Sequence, residues 1–239
     1  MLTQKLVPGI VGISTYVDFA YQKAMQLAAV AAAGTSGPIN QLRSVTVTLD
    51  FNLLLGNLQS GLRDAAEEQV AVAVQGLAAA GADFIVVTSG TTSTLTAKAR
   101  ERVAKPFLDI ADACFKPQRP TGPVGLLSTS YAAAGGFFQS AARRHDVSLV
   151  LPQPDTAKRV DEAIFGELVR GSASDGSLRI FRAALDELTA QGAASIILGN
   201  TDLTLVAEEL QKTAAVPLID STTAHATRAA HAAMTGTLE

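Results

Sequence analysis

The chain has 239 residues, 48% hydrophobic and 17% charged, so it can bury a substantial core and is too apolar to be disordered. Lys and Arg number 19 against 22 Asp and Glu, a net charge of −3. With no basic run, this balance argues against a nucleic-acid partner. Cys114 is the single cysteine, which excludes an intrachain disulfide and a cysteine-rich metal site. The apolar stretch Leu27–Ala33 falls far short of the ~20 residues that span a bilayer. Pro8 and Gly9 break the early apolar run, so no signal peptide is expected. The expectation is a soluble, cytoplasmic protein with no membrane partner.

Short runs rich in β-branched residues alternate with longer Ala-rich stretches, the pattern of a parallel sheet flanked by helices. A strand over Leu6–Gly12 leads to a helix over Asp18–Ala33, and a strand over Ser44–Leu49 to a helix over Arg63–Ala80. Strands at Phe84–Thr88 and Phe107–Asp109 precede helices at Leu95–Val103 and Ile110–Phe115. Next comes Lys116–Pro123, with three prolines and Gly122, which reads as a linker. A strand at Val124–Leu127 and a helix at Ala132–Arg144 open the second half. Then follow strand Val147–Leu151, helices Val160–Val169 and Leu178–Ala190, strand Ser195–Leu198, helix Leu203–Lys212, strand Pro217–Ile219 and helix Thr222–Met234.

A shift of 111 residues lays Gly81-Ala82 on Gly192-Ala193, Ile85 on Ile196, Pro106 on Pro217 and Asp109 on Asp220. The loop Ser89-Gly90-Thr91 then falls on Asn200-Thr201-Asp202. The chain therefore reads as two similar α/β lobes, 1–118 and 119–239, with the last helix able to pack back on the first lobe. Ligands of open α/β sheets lie beyond the carboxyl ends of the strands. Two such lobes related by a pseudo-twofold axis are expected to present equivalent loops to one small ligand in an interdomain cleft.

The richest loop is Thr88-Ser89-Gly90-Thr91-Thr92-Ser93-Thr94, with six hydroxyl residues in seven and Gly90 read as a turn residue. Such a loop at a helix start favours an anion such as a carboxylate, though a helix cap needs only one of those hydroxyls. Asp202, in Gly199-Asn200-Thr201-Asp202, is the one ionisable group in either loop and reads as a helix cap or as an acid–base residue. Ser14-Thr15 and Ser128-Thr129-Ser130 follow strands and can bind a ligand oxygen or cap a helix. Asp50 ends a strand and can start a turn, His225 lies on the last helix, and His145 and His231 read as surface residues. No spacing of His, Asp and Glu points to a metal, and no dinucleotide or phosphate-binding glycine loop is present. Ser89 lacks the G-x-S-x-G elbow of a serine hydrolase.

At these loops the sequence resembles the aspartate/glutamate racemase family. Gly81-Ala82-Asp83-Phe84-Ile85-Val86-Val87 is similar to the strand before that family's Cys-Asn-Thr loop, and Val124-Gly125-Leu126-Leu127-Ser128-Thr129 to the strand opening its second half. Ile164-Phe165, Glu167-Leu168-Val169 and Gly171 resemble a helix of the aspartate-racemase branch. Ile196-Ile197-Leu198-Gly199-Asn200-Thr201-Asp202 resembles the Gly-Cys-Thr-Glu segment, and Pro217 to Asp220 with Thr222 and His225 the closing strand and helix. The resemblance implies a cofactor-independent enzyme that holds an amino acid between two cysteines and relays its α-proton. Thiols near pKa 8.5 suit that work in a dry, preorganised pocket.

Here the positions matching those cysteines hold Ser89 and Asn200, Gly90 stands for the loop Asn, Thr91 keeps the Thr, and Cys114 lies on a helix away from both loops. A serine hydroxyl is too weak an acid to serve as a ready base, and asparagine does not titrate. Three readings follow. The first is an isomerase or lyase of this superfamily, which also includes hydantoin racemases, maleate isomerases and arylmalonate decarboxylases. It would act on a small carboxylic or amino acid without cofactor, with Asp202 as acid or base. Ser14, Thr15, Asp50, Gly90, Thr91, Thr129, Thr201 and His225 would line the substrate. The second is an inactive carboxylate-binding homologue, and the third a residual racemase acting through Ser89. A homodimer is what the family implies.

Overall fold

A run such as Phe84-Ile85-Val86-Val87, apolar at every position, is protected from water only as an inner strand covered on both faces. The computed structural model, which describes residues 4–33, 41–115 and 121–238, builds such strands into two parallel sheets. The first half runs β1 (Pro8–Gly12), α1 (Thr15–Ala33), β2 (Val45–Thr48), α2 (Phe51–Gln59), α3 (Arg63–Ala79), β3 (Phe84–Val87), α4 (Gly90–Ser93), α5 (Ala97–Arg102), β4 (Phe107–Leu108) and α6 (Ile110–Phe115). The second runs β5 (Val124–Leu127), α7 (Ser130–Ala134), α8 (Phe137–Arg144), β6 (Leu149–Val150), α9 (Pro154–Gly166), α10 (Asp175–Ala190), β7 (Ser195–Leu198), α11 (Ala207–Gln211), β8 (Leu218–Asp220) and α12 (Ser221–Thr235). Short 3₁₀ turns cover Leu168–Arg170 and Thr201–Leu205. The fold is thus α/β, two four-stranded parallel sheets flanked by helices.

The sheets have the same order, β2-β1-β3-β4 and β6-β5-β7-β8, each wound outward from its first strand. Described residues up to Ile110, with those from His225 onward, form one compact unit, and those of Ala111–Ala224 form the other. In the first unit, one face of the sheet packs on α1 and on the alanine-rich face of α12, joining Ile10, Tyr21, Met25 and Val86 to Ala226, Ala229, Ala230 and Ala233. Lys5 and Leu6 both donate backbone N–H groups to the Ala233 carbonyl, fastening that helix beside β1. The opposite face packs Val11, Ile85 and Val87 on Val70, Val74 and Leu77 of α3. Equivalent layers in the second unit set Leu127, Ile196 and Leu198 against α9 and α10, and Val124, Leu126 and Ile197 against α6 and α8. Each fully buried Leu, Ile or Phe contributes about 1.5–3 kcal/mol.

The 111-residue offset returns as geometry. Gly81 and Gly192 end α3 and α10 with left-handed backbone, at φ +90° and +91°. Gly9 leaves no room for a Cβ against Leu77, Ala82 and Ile85, and Gly125 none against Leu188, Ala193 and Ile196. Those two triads are again 111 positions apart, so each unit packs the helix before its third strand against a glycine of its first strand.

Several boundaries differ from the sequence expectation. Residues 51–59, read as following a strand, form α2, because Asp50 ends the extended segment and caps the helix. The helix expected over Ala132–Arg144 is two helices, broken where Gly136 turns left-handed at φ +69°. Helix α9 starts at Pro154, six residues before the expected Val160, since proline at a first helical position loses no hydrogen bond. The segment expected as Leu95–Val103 is preceded by α4 and shortened to α5. In the expected linker, residues 116–120 lie outside the described residues.

Candidate functional site

All the parallel strands of a unit end at the same edge of its sheet, so the loops that follow them gather there. In the first unit Ser89 follows β3. Its Oγ accepts from the Thr92 N–H at 3.2 Å and its carbonyl from Ser93 Oγ at 2.7 Å, so this half-buried serine is the N-cap of α4. Gly90 is buried and is the first residue of α4 rather than a left-handed turn residue. Thr91 is half-buried, its carbonyl taking the Thr94 hydroxyl at 2.7 Å. Three of the six hydroxyls of this loop, those of Ser89, Ser93 and Thr94, therefore serve the loop itself. Ser14 is half-buried, its carbonyl taking the Asp18 N–H at 2.8 Å, and Thr15 is exposed at the start of α1. Asp50 is exposed, and its Oδ1 caps α2 through the Leu53 N–H at 3.0 Å.

The sequence reading missed Asp18. It lies in the first turn of α1 with Val17, Tyr21, Met25 and Ala29 on the helix's buried face, and it is 7% exposed. Its Oδ1 accepts from the Ile13 N–H at 3.1 Å and the Thr88 hydroxyl at 3.2 Å, and its Oδ2 from the Thr48 hydroxyl at 2.9 Å. One carboxylate thus gathers the ends of β1, β2 and β3, and Gly12 makes room for it, since a Cβ there would lie 2.2 Å from Asp18 Oδ2. The signal available was an acid at helical spacing within an apolar stripe.

In the second unit Asn200 follows β7, the strand equivalent to β3 in sheet order. Its Oδ1 accepts from the Asp202 N–H at 3.1 Å, which makes Asn200, not Asp202, the cap of the 3₁₀ turn. Asp202 is the turn's second residue and is buried, as is Thr201, whose carbonyl takes the Thr222 hydroxyl at 3.3 Å. Next to β7 in the sheet, β5 is followed by Ser128 and Thr129. Thr129 is buried and caps α7 through the Ala132 N–H at 3.2 Å, while the buried Ser128 Oγ has no hydrogen-bond partner. Asp220, at the end of β8, accepts from Thr204 Oγ1 at 2.7 Å and from the Thr222 N–H at 3.1 Å.

His225 is wholly buried in the first unit. Its Nε2–H donates to the Leu108 carbonyl at 2.7 Å, and its ring meets Tyr21 edge-on with centroids 5.5 Å apart. Burial lowers its pKa to about 4, against a smaller upward pull from the Leu108 hydrogen bond, so the neutral ring is held near pH 7. His231 is exposed, but His145 is half-buried rather than on the surface, stacked on Phe115 with Nε2 3.1 Å from Asp112 Oδ1. Cys114 is buried on α6, where it shares with Thr204 and Asp220 the lining of an open cavity of about 690 Å³. Burial, and then the Asp220 and Asp112 carboxylates, push its thiol well up, so its thiolate is strongly disfavoured. Among the described residues no group of three or more His, Cys, Asp and Glu side chains is placed to hold a metal ion. No described helix is long and apolar enough to cross a membrane.

Residues 29–229 match the family model described as Asp/Glu/Hydantoin racemase. The chain belongs to this family. A crystal structure of a candidate Asp/Glu racemase from Yersinia pestis is similar with a TM-score of 0.81 and 27% identity, over 96% of this chain and 99% of that one. An aspartate racemase homologue from Pyrococcus horikoshii OT3 gives 0.75 and 20%, over 95% and 98%. Glutamate racemase from Francisella tularensis, in complex with D-glutamate, gives 0.67 and 13%, over 95% and 80%. At 20% and 13% identity the latter two establish the fold alone. Membership in the family makes an isomerase of the racemase type the coarse functional class, and Ser89 and Asn200 occupy the second positions after β3 and β7.

Proposed function

We propose that this racemase-family protein binds a small carboxylic or amino acid at the carboxyl ends of its strands. It performs cofactor-independent isomerase- or lyase-type chemistry there rather than two-cysteine racemisation. The observation that carries this reading is chemical. The second residues after β3 and β7 are a serine and an asparagine, and the chain's single cysteine is buried with its thiol pushed up.

Breaking a bond to the carbon beside a carboxylate leaves an electron pair that must be delocalised onto the carboxylate oxygens. Hydroxyl and N–H donors aimed at those oxygens stabilise that charge. Ser89, Thr91, Ser128 and Thr129 supply such donors from loops and helix starts, and the orphan hydroxyl of Ser128 favours an oxygen ligand at that strand end. Ser14, Thr15, Asp50, Gly90, Thr201 and His225 belong to the proposed set as shaping residues. Asp202 is the proposed acid or base, because it is the ionisable side chain next to Asn200 and Thr201.

Two measurements test this. A thermal-shift screen against amino acids, monocarboxylates and dicarboxylates should find a ligand, since saturation at 100 Kd adds about 2.7 kcal/mol. Ser89→Ala and Asn200→Ala should each weaken binding of the same compound. NMR in deuterium oxide should then show conversion or Cα deuteration that Asp202→Asn abolishes while binding persists. Full turnover in Asp202→Asn would remove its role. Binding without any turnover would favour the second reading, an inactive carboxylate-binding homologue, for which the replaced cysteines speak. Deuterium wash-in lost in Ser89→Ala would point to residual racemisation.

A further inference from the structure

At the carboxyl end of the second unit's sheet, three large apolar side chains are left partly in water. Tyr131, Phe165 and Leu205 are 41%, 40% and 40% exposed. Tyr131 lies in the turn of helix that follows β5, and Leu205 closes the 3₁₀ turn that follows β7, the neighbouring strand. Phe165 reaches the same end on α9. The Ser130 N–H donates to Asp161 Oδ1 at 2.9 Å, and Phe165 is one helical turn beyond Asp161 on that side of the helix. The 3₁₀ turn after α9 packs on the one after β7. The first unit has a similar pair: Tyr16 follows β1, Leu53 follows the neighbouring β2, and both are exposed.

Charge at the strand ends is one-sided as well. None of the seven residues after any of the eight described strands is Lys or Arg, while Asp18, Asp50 and Asp202 are among them. The stretches after β3, β5 and β8 hold no acid and are rich in hydroxyls. Arginines that reach these segments from elsewhere are already engaged. Arg63 pairs with Glu67 and donates to the Thr94 carbonyl, Arg100 pairs with Asp109, and Arg144 with Asp112. Arg170, beside Phe165, folds back on the Phe165 and Gly166 carbonyls. One carboxylate therefore finds hydroxyl donors, the buried and unpartnered Ser128 Oγ among them. A second would give up its water with no cation in these stretches to pair with. Apolar surface, by contrast, gains by covering Tyr131, Phe165 and Leu205. We infer that the ligand of this site carries a single carboxylate and an apolar body of aromatic size, in place of the second carboxylate of aspartate or glutamate. The inference rests on the carboxylate-binding reading above and selects among the carboxylates that reading allows.

Isothermal titration calorimetry of the full chain with 3-phenylpropionate, succinate and L-aspartate tests the inference. 3-Phenylpropionate should bind about ten-fold or more tightly than either dicarboxylate. Tyr131→Ala and Leu205→Ala should each weaken it about five-fold, whereas Tyr131→Phe, which keeps the ring, should retain it. Both positions are exposed, so these variants should keep the far-UV circular dichroism and cooperative unfolding of the wild type. Succinate or aspartate binding as tightly as 3-phenylpropionate would overturn the inference and leave the carboxylate reading standing. Affinity for 3-phenylpropionate unchanged in both alanine variants would overturn the role of these side chains. Binding of none of the three, when the wider screen finds another carboxylate, would overturn the inference alone. A wider screen without any carboxylate ligand would overturn the reading beneath it.

Discussion

Thr88 Oγ1 lies 3.2 Å from Asp18 Oδ1 and 3.2 Å from the Val11 carbonyl oxygen, so the residue before Ser89 is tied to both β1 and α1. Asp18 completes the tie through Ile13 and Thr48. Asp18→Ala leaves the buried Ile13 N–H without this acceptor, while Thr88 keeps the Val11 carbonyl and the exposed Thr48 hydroxyl turns to water, and is expected to cost about 1–3 kcal/mol. Asp18→Asn keeps one acceptor oxygen and should cost about half as much. Gly12→Ala should approach the alanine variant in severity, because its Cβ would force the carboxylate out. Urea midpoints at unchanged slope measure all three.

Stability should depend on pH through His225. Its folded pKa is lowered to about 4 by burial, below the unfolded value of 6.5, so the unfolded chain takes up the proton first as pH falls. The contribution of the neutral ring is complete above pH 6.5 and is lost between there and about pH 4. Some 2.5 pK units correspond to about 3 kcal/mol. Unfolding free energies of the wild type and His225→Gln from pH 7.5 to 4 should converge by about that amount. Parallel curves would show that the ring does not titrate in this range.

Glycine substitutions should separate by backbone rather than by space. Gly81 and Gly192 have open surroundings but left-handed backbone, so alanine at either is expected to cost about 1–2 kcal/mol. Gly76, exposed in the interior of α3 with nothing near its Cβ position, should gain about 0.5–1 kcal/mol as alanine. Thermal midpoints read both signs.

Cys114 should resist a disulfide reagent such as dithionitrobenzoate in the native protein. Its side chain is buried and its thiolate is disfavoured. Labelling should become stoichiometric only in denaturant, with a native rate that follows the unfolding equilibrium. Rapid labelling of the folded chain would contradict the burial.

Much of the architecture was legible because it rests on local pattern. Phe84–Val87, Val124–Leu127 and Ile196–Leu198 carry no polar side chain, and runs of that kind between helices have one stable placement, inside a parallel sheet. The loops at Ser89 and Asn200 were legible for the same reason, since a strand end followed by hydroxyl or amide residues begins a helix. Less legible was which residue caps. Asp202 has the stronger chemical claim, yet Asn200 holds the position, because capping depends on the backbone angle of the residue just before the turn. The partners of Asp18 were hidden for a different reason. Its partners are 5, 30 and 70 positions away, and no window along the chain contains them together.

By itself, then, the order of residues determined the parallel strands, the doubled α/β plan and the family, all of which follow from periodicity and short motifs. Only the folded chain decided that His225 is sealed in a core, that Thr88 hangs from Asp18, and that Tyr131, Phe165 and Leu205 stay partly in water at one end of a sheet. Those facts depend on groups far apart in sequence meeting at atomic distance, and on how much solvent remains once they have met.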